Sequence, residues 1–265
     1  MGQPSIIGYI ARVFSELAYP RLCVACRSAP PCGNDPLYYL SLADDTKASR
    51  MCLCEACASE FEKSAQVKCR ECGKPYCECL CAPKALLDVG IKEARCLFAY
   101  DTRSHNTAAD RVIYSLKRTS NRDVTVFLSR LLAERIASDF AREGRDIRSF
   151  SIAYAPRRTA SVIEYGGDHM KAVAKETARL LGIKHTDLFK SKVTSAQKTL
   201  SADKRVLAAK EGYTLRRGAA SLIQGKPFIL IDDIITTGAT LAACVSLLKS
   251  ADAGKICVYC IAKPK

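Results

Sequence analysis

Phe228-Ile-Leu-Ile-Asp-Asp-Ile-Ile-Thr-Thr-Gly-Ala-Thr240 is the stretch that decides the fold. Its first four residues are an unbroken apolar run, which reads as a strand buried on both faces. Two acids follow, Asp232 and Asp233, and a Thr/Gly loop then opens a helix expected over Ala239 to Ser250. Ligands of open α/β sheets bind at the carboxyl ends of the strands. The loop Thr236-Thr237-Gly238-Ala239-Thr240 offers backbone N–H groups and three hydroxyls at a helix N-terminus, which suits a phosphate monoester. Gly238 is expected to let the backbone approach that anion closely. Asp232 and Asp233 cannot take the same phosphate, because like charges repel, but they suit the donor hydroxyls of a sugar diol. Phosphate beside diol describes a ribose 5-phosphate. A P-loop is excluded, since Gly225-Lys226 is followed by Pro227 rather than by a hydroxyl residue.

Outward from this stretch, strand and helix alternate. Cys96 to Tyr100 reads as a short strand, and Ala108, Val112, Ile113 and Leu116 mark a helix running from His105 to about Lys117. Asp123 is an N-cap candidate for a second helix, with Val124, Phe127, Leu128, Leu131, Leu132, Ile136 and Phe140 on one face. Ser151 to Ala155 reads as a strand stopped by Pro156. Asp168 caps a helix that Gly182 ends, and Ile256 to Ala262 is another buried strand. Residues 190–212 are polar and read as a long mobile loop, or as a loop with a weak helix. This alternation predicts an α/β domain with a mostly parallel sheet flanked by helices.

The front of the chain has a different character. Twelve of the 15 cysteines lie between Cys23 and Cys96. Residues 1–100 carry 12 basic and 11 acidic residues, whereas residues 101–265 carry 29 and 16. The shift predicts two units, a cysteine-rich module over residues 19–83 and an α/β domain over residues 94–265. The pairs Cys23-x-x-Cys26, Cys54-x-x-Cys57 and Cys69-x-x-Cys72 each aim two thiolates at one point, and two such pairs complete a tetrahedral zinc site. Cys23 and Cys26 are expected to join Cys54 and Cys57. Cys69 and Cys72 then close with two of Cys77, Cys79 and Cys81, assigned here to Cys77 and Cys81; the pairs can also interleave. Disulfides fit poorly, because the short mixed run Ile6, Ile7, Tyr9, Ile10 and Arg12 is no secretion signal. No Cys-x-x-Cys pair follows a strand and opens a helix, as a thioredoxin-like redox pair would. Four thiolates leave no open position, so one or two structural zinc ions are the expectation.

The segment at 228–240 resembles the phosphoribosyl pyrophosphate (PRPP) motif of type I phosphoribosyltransferases. From Tyr19 to Ala262 the chain resembles the ComF family, in which a double zinc ribbon precedes a phosphoribosyltransferase-like domain. Cys69-x-x-Cys72-Gly-Lys-Pro75, Phe98-Ala-Tyr-Asp101, Ile113-Tyr-Ser-Leu-Lys117 and Glu164-Tyr-Gly-Gly-Asp168-His169 carry this likeness. Gly167 and Ala208 depart from it, standing where the family has an aromatic residue and Asn. The resemblance implies that Tyr154-Ala-Pro-Arg157-Arg158 binds pyrophosphate. It also implies that Thr194-Ser-Ala-Gln197-Lys-Thr-Leu200, with Arg205, is a mobile loop closing over substrate. Read by themselves, Lys117 is a surface lysine at a helix end, His169 is as readily a capping or packing residue as a chemical one, and Arg157 and Arg158 are as readily solvated loop charges as ligands.

Two functions follow as expectations. In the first, the protein binds Mg²⁺–PRPP through Asp232, Asp233, Thr236, Thr237, Gly238, Ala239, Thr240, Arg157 and Arg158. It then transfers the phosphoribosyl group to an acceptor, with Asp232 and Asp233 as the catalytic acids. In the second, implied by the family's link to natural competence and permitted by the basic back half, it is a non-catalytic protein. It would then handle single-stranded DNA during DNA uptake alongside the competence machinery. No stretch reaches the roughly 18 uncharged apolar residues of a membrane span. A cytoplasmic protein is expected, and the reading leaves room for a homodimer.

Overall fold

The structure, a computed structural model, describes residues 22–28, 53–101, 106–119, 121–157, 162–164, 166–192 and 212–265. Arg158, Gln197 and Arg205 lie outside the described residues.

The chain builds α1 (Glu55–Gln66), α2 (Lys84–Asp88), β1 (Ala94–Tyr100), α3 (Ala108–Thr119), α4 (Arg122–Arg142), β2 (Ser151–Tyr154) and α5 (His169–Leu181). It continues with β3 (Lys184–His185), β4 (Phe189–Ser191), β5 (Tyr213–Leu215), α6 (Ala219–Ile223), β6 (Phe228–Ile234), α7 (Ala239–Ser250) and β7 (Ile256–Pro264). Five strands form a parallel sheet in the order β1-β7-β6-β2-β3, and β4 and β5 form a separate antiparallel pair. The mostly parallel α/β sheet expected from the sequence is present, with helices on both faces.

Strand β6 shows why its sequence is apolar throughout. Ile229 and Ile231 join one core with Phe98, Leu116, Leu128 and Val173. Phe228 and Leu230 join the other with Leu86, Leu241 and Val245. Side chains alternate across a strand, so a sheet covered on both faces needs an apolar residue at every position. The strand runs three residues beyond Ile231, because pairing with β7 continues through Asp232 opposite Cys260 and Ile234 opposite Ala262. Both acids therefore sit within the last turn of the ladder, on opposite faces.

The helix caps differ in one place from expectation. Asp168 does cap α5, accepting from the Met170 and Lys171 N–H groups, and Gly182 ends that helix at φ 65°. Helix α4, however, is capped by Asn121 rather than Asp123. Asn121 Oδ1 accepts from the N–H groups of Asp123 (2.9 Å) and Val124 (3.3 Å), which leaves Asp123 in the first turn, facing the positive end of the helix dipole.

The cysteine-rich segment packs onto both sheet faces. Cys23, Ala25, Cys57 and Phe61 belong to the first core, with the Phe61 ring 4.7 Å from Phe98 and 5.3 Å from Phe127, both edge-on. Cys69, Tyr76 and Cys79 belong to the second. Lys263 Nζ donates to the carbonyls of Cys81 (2.6 Å) and Ala94 (2.7 Å), and Tyr76 Oη donates to the Pro264 carbonyl (2.7 Å). The end of β7 is thus tied to the second cysteine group.

Candidate active site and cysteine clusters

Four elements deliver side chains to one cleft at the carboxyl ends of β2 and β6. Asp232 and Asp233 come from β6, Lys117 from the last turn of α3, Arg157 from the segment after β2, and His169 from the first turn of α5. The cleft has a volume of about 300 Å³, and Thr240 at the start of α7 also lines it. This is where ligands of open parallel sheets bind.

Asp233 is the hub. Its Oδ2 accepts from His169 Nε2 at 2.8 Å and lies 3.2 Å from Lys117 Nζ, and its Oδ1 accepts from the Ile234 N–H at 2.6 Å. Burial alone would raise its carboxyl, but the Lys117 ammonium and the His169 ring outweigh burial and hold it well below the ordinary carboxylate range. Asp232 has the opposite setting. Its Oδ1 accepts from the Asp233 N–H at 2.8 Å, and burial together with the neighbouring Asp233 charge pushes its carboxyl well up. Two adjacent acids are therefore driven apart, one kept ionised and the other disposed to hold a proton.

Arg157 is held at the same place. Its backbone N–H donates to Asp168 Oδ2 at 3.0 Å, and its Nη1 donates to the Lys117 carbonyl at 2.8 Å. Asp168 thus serves two elements, capping α5 with Oδ1 and fixing the Arg157 backbone with Oδ2.

The Thr/Gly loop opens α7 at Gly238, which has no side chain to cap it, and the Ala239 N–H makes only a long contact of 3.4 Å with Thr237 Oγ1, so the first-turn amide dipoles face the loop. Thr236 and Thr237 are exposed, and Ala239 and Thr240 are half-buried. Gly238 also has a packing reason to be glycine. It adopts φ +75°, and a Cβ there would meet Pro83 Cγ at 2.6 Å and Leu86 Cγ at 3.2 Å. The loop rests directly on α2, which begins three residues after Cys81. No local pattern in the sequence announces that contact.

Every described cysteine is a free thiol. Two clusters bring four Sγ atoms each within 4.8 Å of one another: Cys23, Cys26, Cys54 and Cys57, and Cys69, Cys72, Cys79 and Cys81. A tetrahedral site with Zn–S near 2.3 Å sets its sulfurs about 3.8 Å apart. Cys26 and Cys54 Sγ lie 3.7 Å apart, so the donors fit zinc in number, chemistry and spacing. The expected ligand set is corrected at one position. Cys79, not Cys77, completes the second cluster. The Cys77 N–H donates to the Ala65 carbonyl and its Sγ accepts from Gln66 Nε2, both at the end of α1. The turn that follows directs Cys79 inward, where it is fully buried.

The model of the phosphoribosyl transferase domain family matches residues 171–265. That span contains both strand-end acids and the Thr/Gly loop; Lys117, Arg157 and His169 lie before it. The match supports a type I phosphoribosyltransferase-like domain, joined to a segment whose cysteine clusters are compatible with zinc ribbons. Among solved structures, the chain is similar to one described as the structure of the allosteric regulatory enzyme of purine biosynthesis. The identity is 17% and the TM-score 0.34, over 56% of this chain and 30% of that one. No curated protein matches the chain.

Proposed function

We propose that the protein is a ComF-like phosphoribosyltransferase that binds Mg²⁺–PRPP in this cleft and transfers the phosphoribosyl group to an acceptor. The observation that carries the reading is the pair of acids at the end of β6 beside the glycine-led N-terminus of α7, within the span that matches the phosphoribosyl transferase family. The amides of residues 236–240 bind the 5-phosphate. Asp232 and Asp233 accept hydrogen bonds from the ribose hydroxyls, and Lys117 and Arg157 face the pyrophosphate. As the pyrophosphate departs, positive charge develops at C1, and fixed charges around the ring stabilise it without rearranging. Mg²⁺ entering with the pyrophosphate would add charge neutralisation there, held mainly by substrate oxygens and water, which suits a cleft offering few protein oxygens. The resemblance adds Arg158, Gln197 and Arg205 to this site, all outside the described residues. The two cysteine clusters are proposed to hold structural zinc in a reducing, cytoplasmic setting.

The test is release of pyrophosphate from Mg²⁺–PRPP in the presence of candidate acceptors. Release that depends on an acceptor, and that is lost when Asp232 and Asp233 are both changed to Asn, supports transfer. Binding of PRPP with no release under any acceptor would leave a binding protein and remove the enzymatic part of the proposal.

A further inference from the structure

Asp233 Oδ2, the oxygen held by the two cleft-lining donors, cannot serve a ribose diol in the arrangement seen here. It already meets His169 Nε2 at 2.8 Å and Lys117 Nζ at 3.2 Å, and Oδ1 holds the Ile234 N–H at 2.6 Å. A carboxylate oxygen accepts about two hydrogen bonds, so Oδ2 is saturated. For a hydroxyl to reach it, one donor must leave. His169 is poorly placed to do so, because its side chain is 4% exposed and sits on the first turn of α5 behind the Asp168 cap. Lys117 is well placed. Its side chain is 34% exposed, its contact is the longer of the two, and a four-carbon stem carries the ammonium from the end of α3.

We propose that Lys117 is an exchangeable counter-ion, which neutralises Asp233 in the ligand-free protein and moves to the substrate's pyrophosphate, opening Asp233 Oδ2 to the ribose diol. The inference rests on the PRPP reading and names a regulating residue within it. Among the described residues lining the cleft, the Lys and Arg side chains are Lys117 and Arg157 alone, and Arg157 Nη1 is bonded to the Lys117 carbonyl. The Arg157 guanidinium is thereby held at the end of α3 that carries Lys117. An anion arriving there competes with Asp233 for the same ammonium. Once Lys117 has moved, His169 still orients Asp233, and the diol hydroxyl takes the vacated position. A sugar phosphate without pyrophosphate lacks the anion that draws Lys117 away, so the site discriminates in favour of the pyrophosphate ester.

Titration calorimetry of Mg²⁺–PRPP, Mg²⁺–pyrophosphate and ribose 5-phosphate, against wild type, Lys117→Gln and Lys117→Arg, tests this. Lys117→Gln should lose tenfold or more for the two pyrophosphate ligands while ribose 5-phosphate binds as well or better. Lys117→Arg should keep pyrophosphate affinity within a few-fold. In the wild-type protein, acetylation of Lys117 followed by mass spectrometry should be slowed by Mg²⁺–PRPP and accelerated by saturating ribose 5-phosphate, which must displace the ammonium. Equal losses for all three ligands, or Lys117 labelling unmoved by ribose 5-phosphate, would overturn the exchange while leaving PRPP binding intact. A wild-type protein that binds none of the three ligands would defeat the PRPP reading itself, and the exchange with it.

Discussion

Changing the two strand-end acids one at a time should weaken PRPP binding to different degrees and shift stability in opposite directions. Asp233→Asn removes a charge-assisted hydrogen bond to the diol, worth roughly 1.5–3 kcal/mol, whereas Asp232, disposed to hold a proton, gives a neutral one worth roughly 0.5–1.5 kcal/mol. At 1.4 kcal/mol per decade, Asp233→Asn should lose about 10- to 150-fold in affinity for Mg²⁺–PRPP and Asp232→Asn about 2- to 10-fold. Stability separates them because their surroundings differ. Asp233→Asn leaves the Lys117 ammonium and the His169 ring facing an amide. Breaking a fully buried pair costs about 3–5 kcal/mol. The Lys117 side chain is 34% exposed, and solvent screening brings the expectation down to about 1–3 kcal/mol. In a chain of this size the melting temperature then falls by about 2–4 °C per kcal/mol. Asp232→Asn keeps an acceptor for the Asp233 N–H and removes a carboxyl that must either take up a proton or bury a charge beside Asp233, so its melting temperature should hold or rise.

The pH dependence follows from the two shifts. The Asp233 carboxyl is lowered in the fold, so its stabilisation is present above the ordinary carboxylate pKa of about 3.9 and is lost as pH falls through the lowered value. The Asp232 carboxyl is raised, so its contribution is full below about 3.9 and is lost as pH rises through the raised value. The advantage of Asp232→Asn over wild type should therefore widen from pH 4 toward neutrality, while the deficit of Asp233→Asn closes only in acid. Calorimetric melts from pH 4 to 8, with PRPP titrations at pH 7.5, measure both quantities. Equal destabilisation by both variants, or an Asp232→Asn advantage that shrinks with rising pH, would refute the reasoning.

Four further outcomes are expected. Elemental analysis of protein purified without chelators should find two zinc equivalents, falling to one in Cys79→Ser and staying at two in Cys77→Ser. Because both clusters are packed into the sheet cores, chelation should lower the melting temperature of the whole chain, which differential scanning calorimetry would register. Gly238→Ala should lower both stability and PRPP affinity through collision with Pro83 at 2.6 Å, and combining it with Pro83→Ala should recover part of each loss; additive losses in the double variant would show that the contact is unimportant. If the basic residues of the α/β domain bind single-stranded DNA through phosphates, retention of a labelled oligonucleotide should fall steeply as salt rises and should vary little with base sequence, which filter binding across a salt series would show.

Local signals carried much of the fold. The apolar run of β6 and the span of α7 were readable because one element's burial and capping are written within a dozen residues. The Asp168 cap and the Gly182 stop were readable for the same reason. Asn121 was missed as a cap because Asp123 is an equally good cap residue two positions on, and only backbone geometry separates them. The end of β6 was placed too early, since the acids look like a strand terminus and the ladder with β7 that carries them is a long-range fact. Cys77 and Cys79 are two residues apart and chemically identical, so which faced the cluster depended on the turn after Pro75. The cleft was legible in its two acids and in Thr240, which line it. The gathering of Lys117 and His169 onto Asp233 was not, because they lie 116 and 64 positions before it and meet it only when α3, α5 and β6 pack. The support of Gly238 by Pro83 and Leu86 was hidden in the same way.

Titration of the purified wild-type chain with Mg²⁺–PRPP by calorimetry tests the central claim most directly. Saturable binding of one PRPP per chain, abolished in the Asp232→Asn/Asp233→Asn double variant whose melt remains cooperative, is the predicted result. No heat of binding to the wild-type protein, or undiminished affinity in the folded double variant, would contradict it.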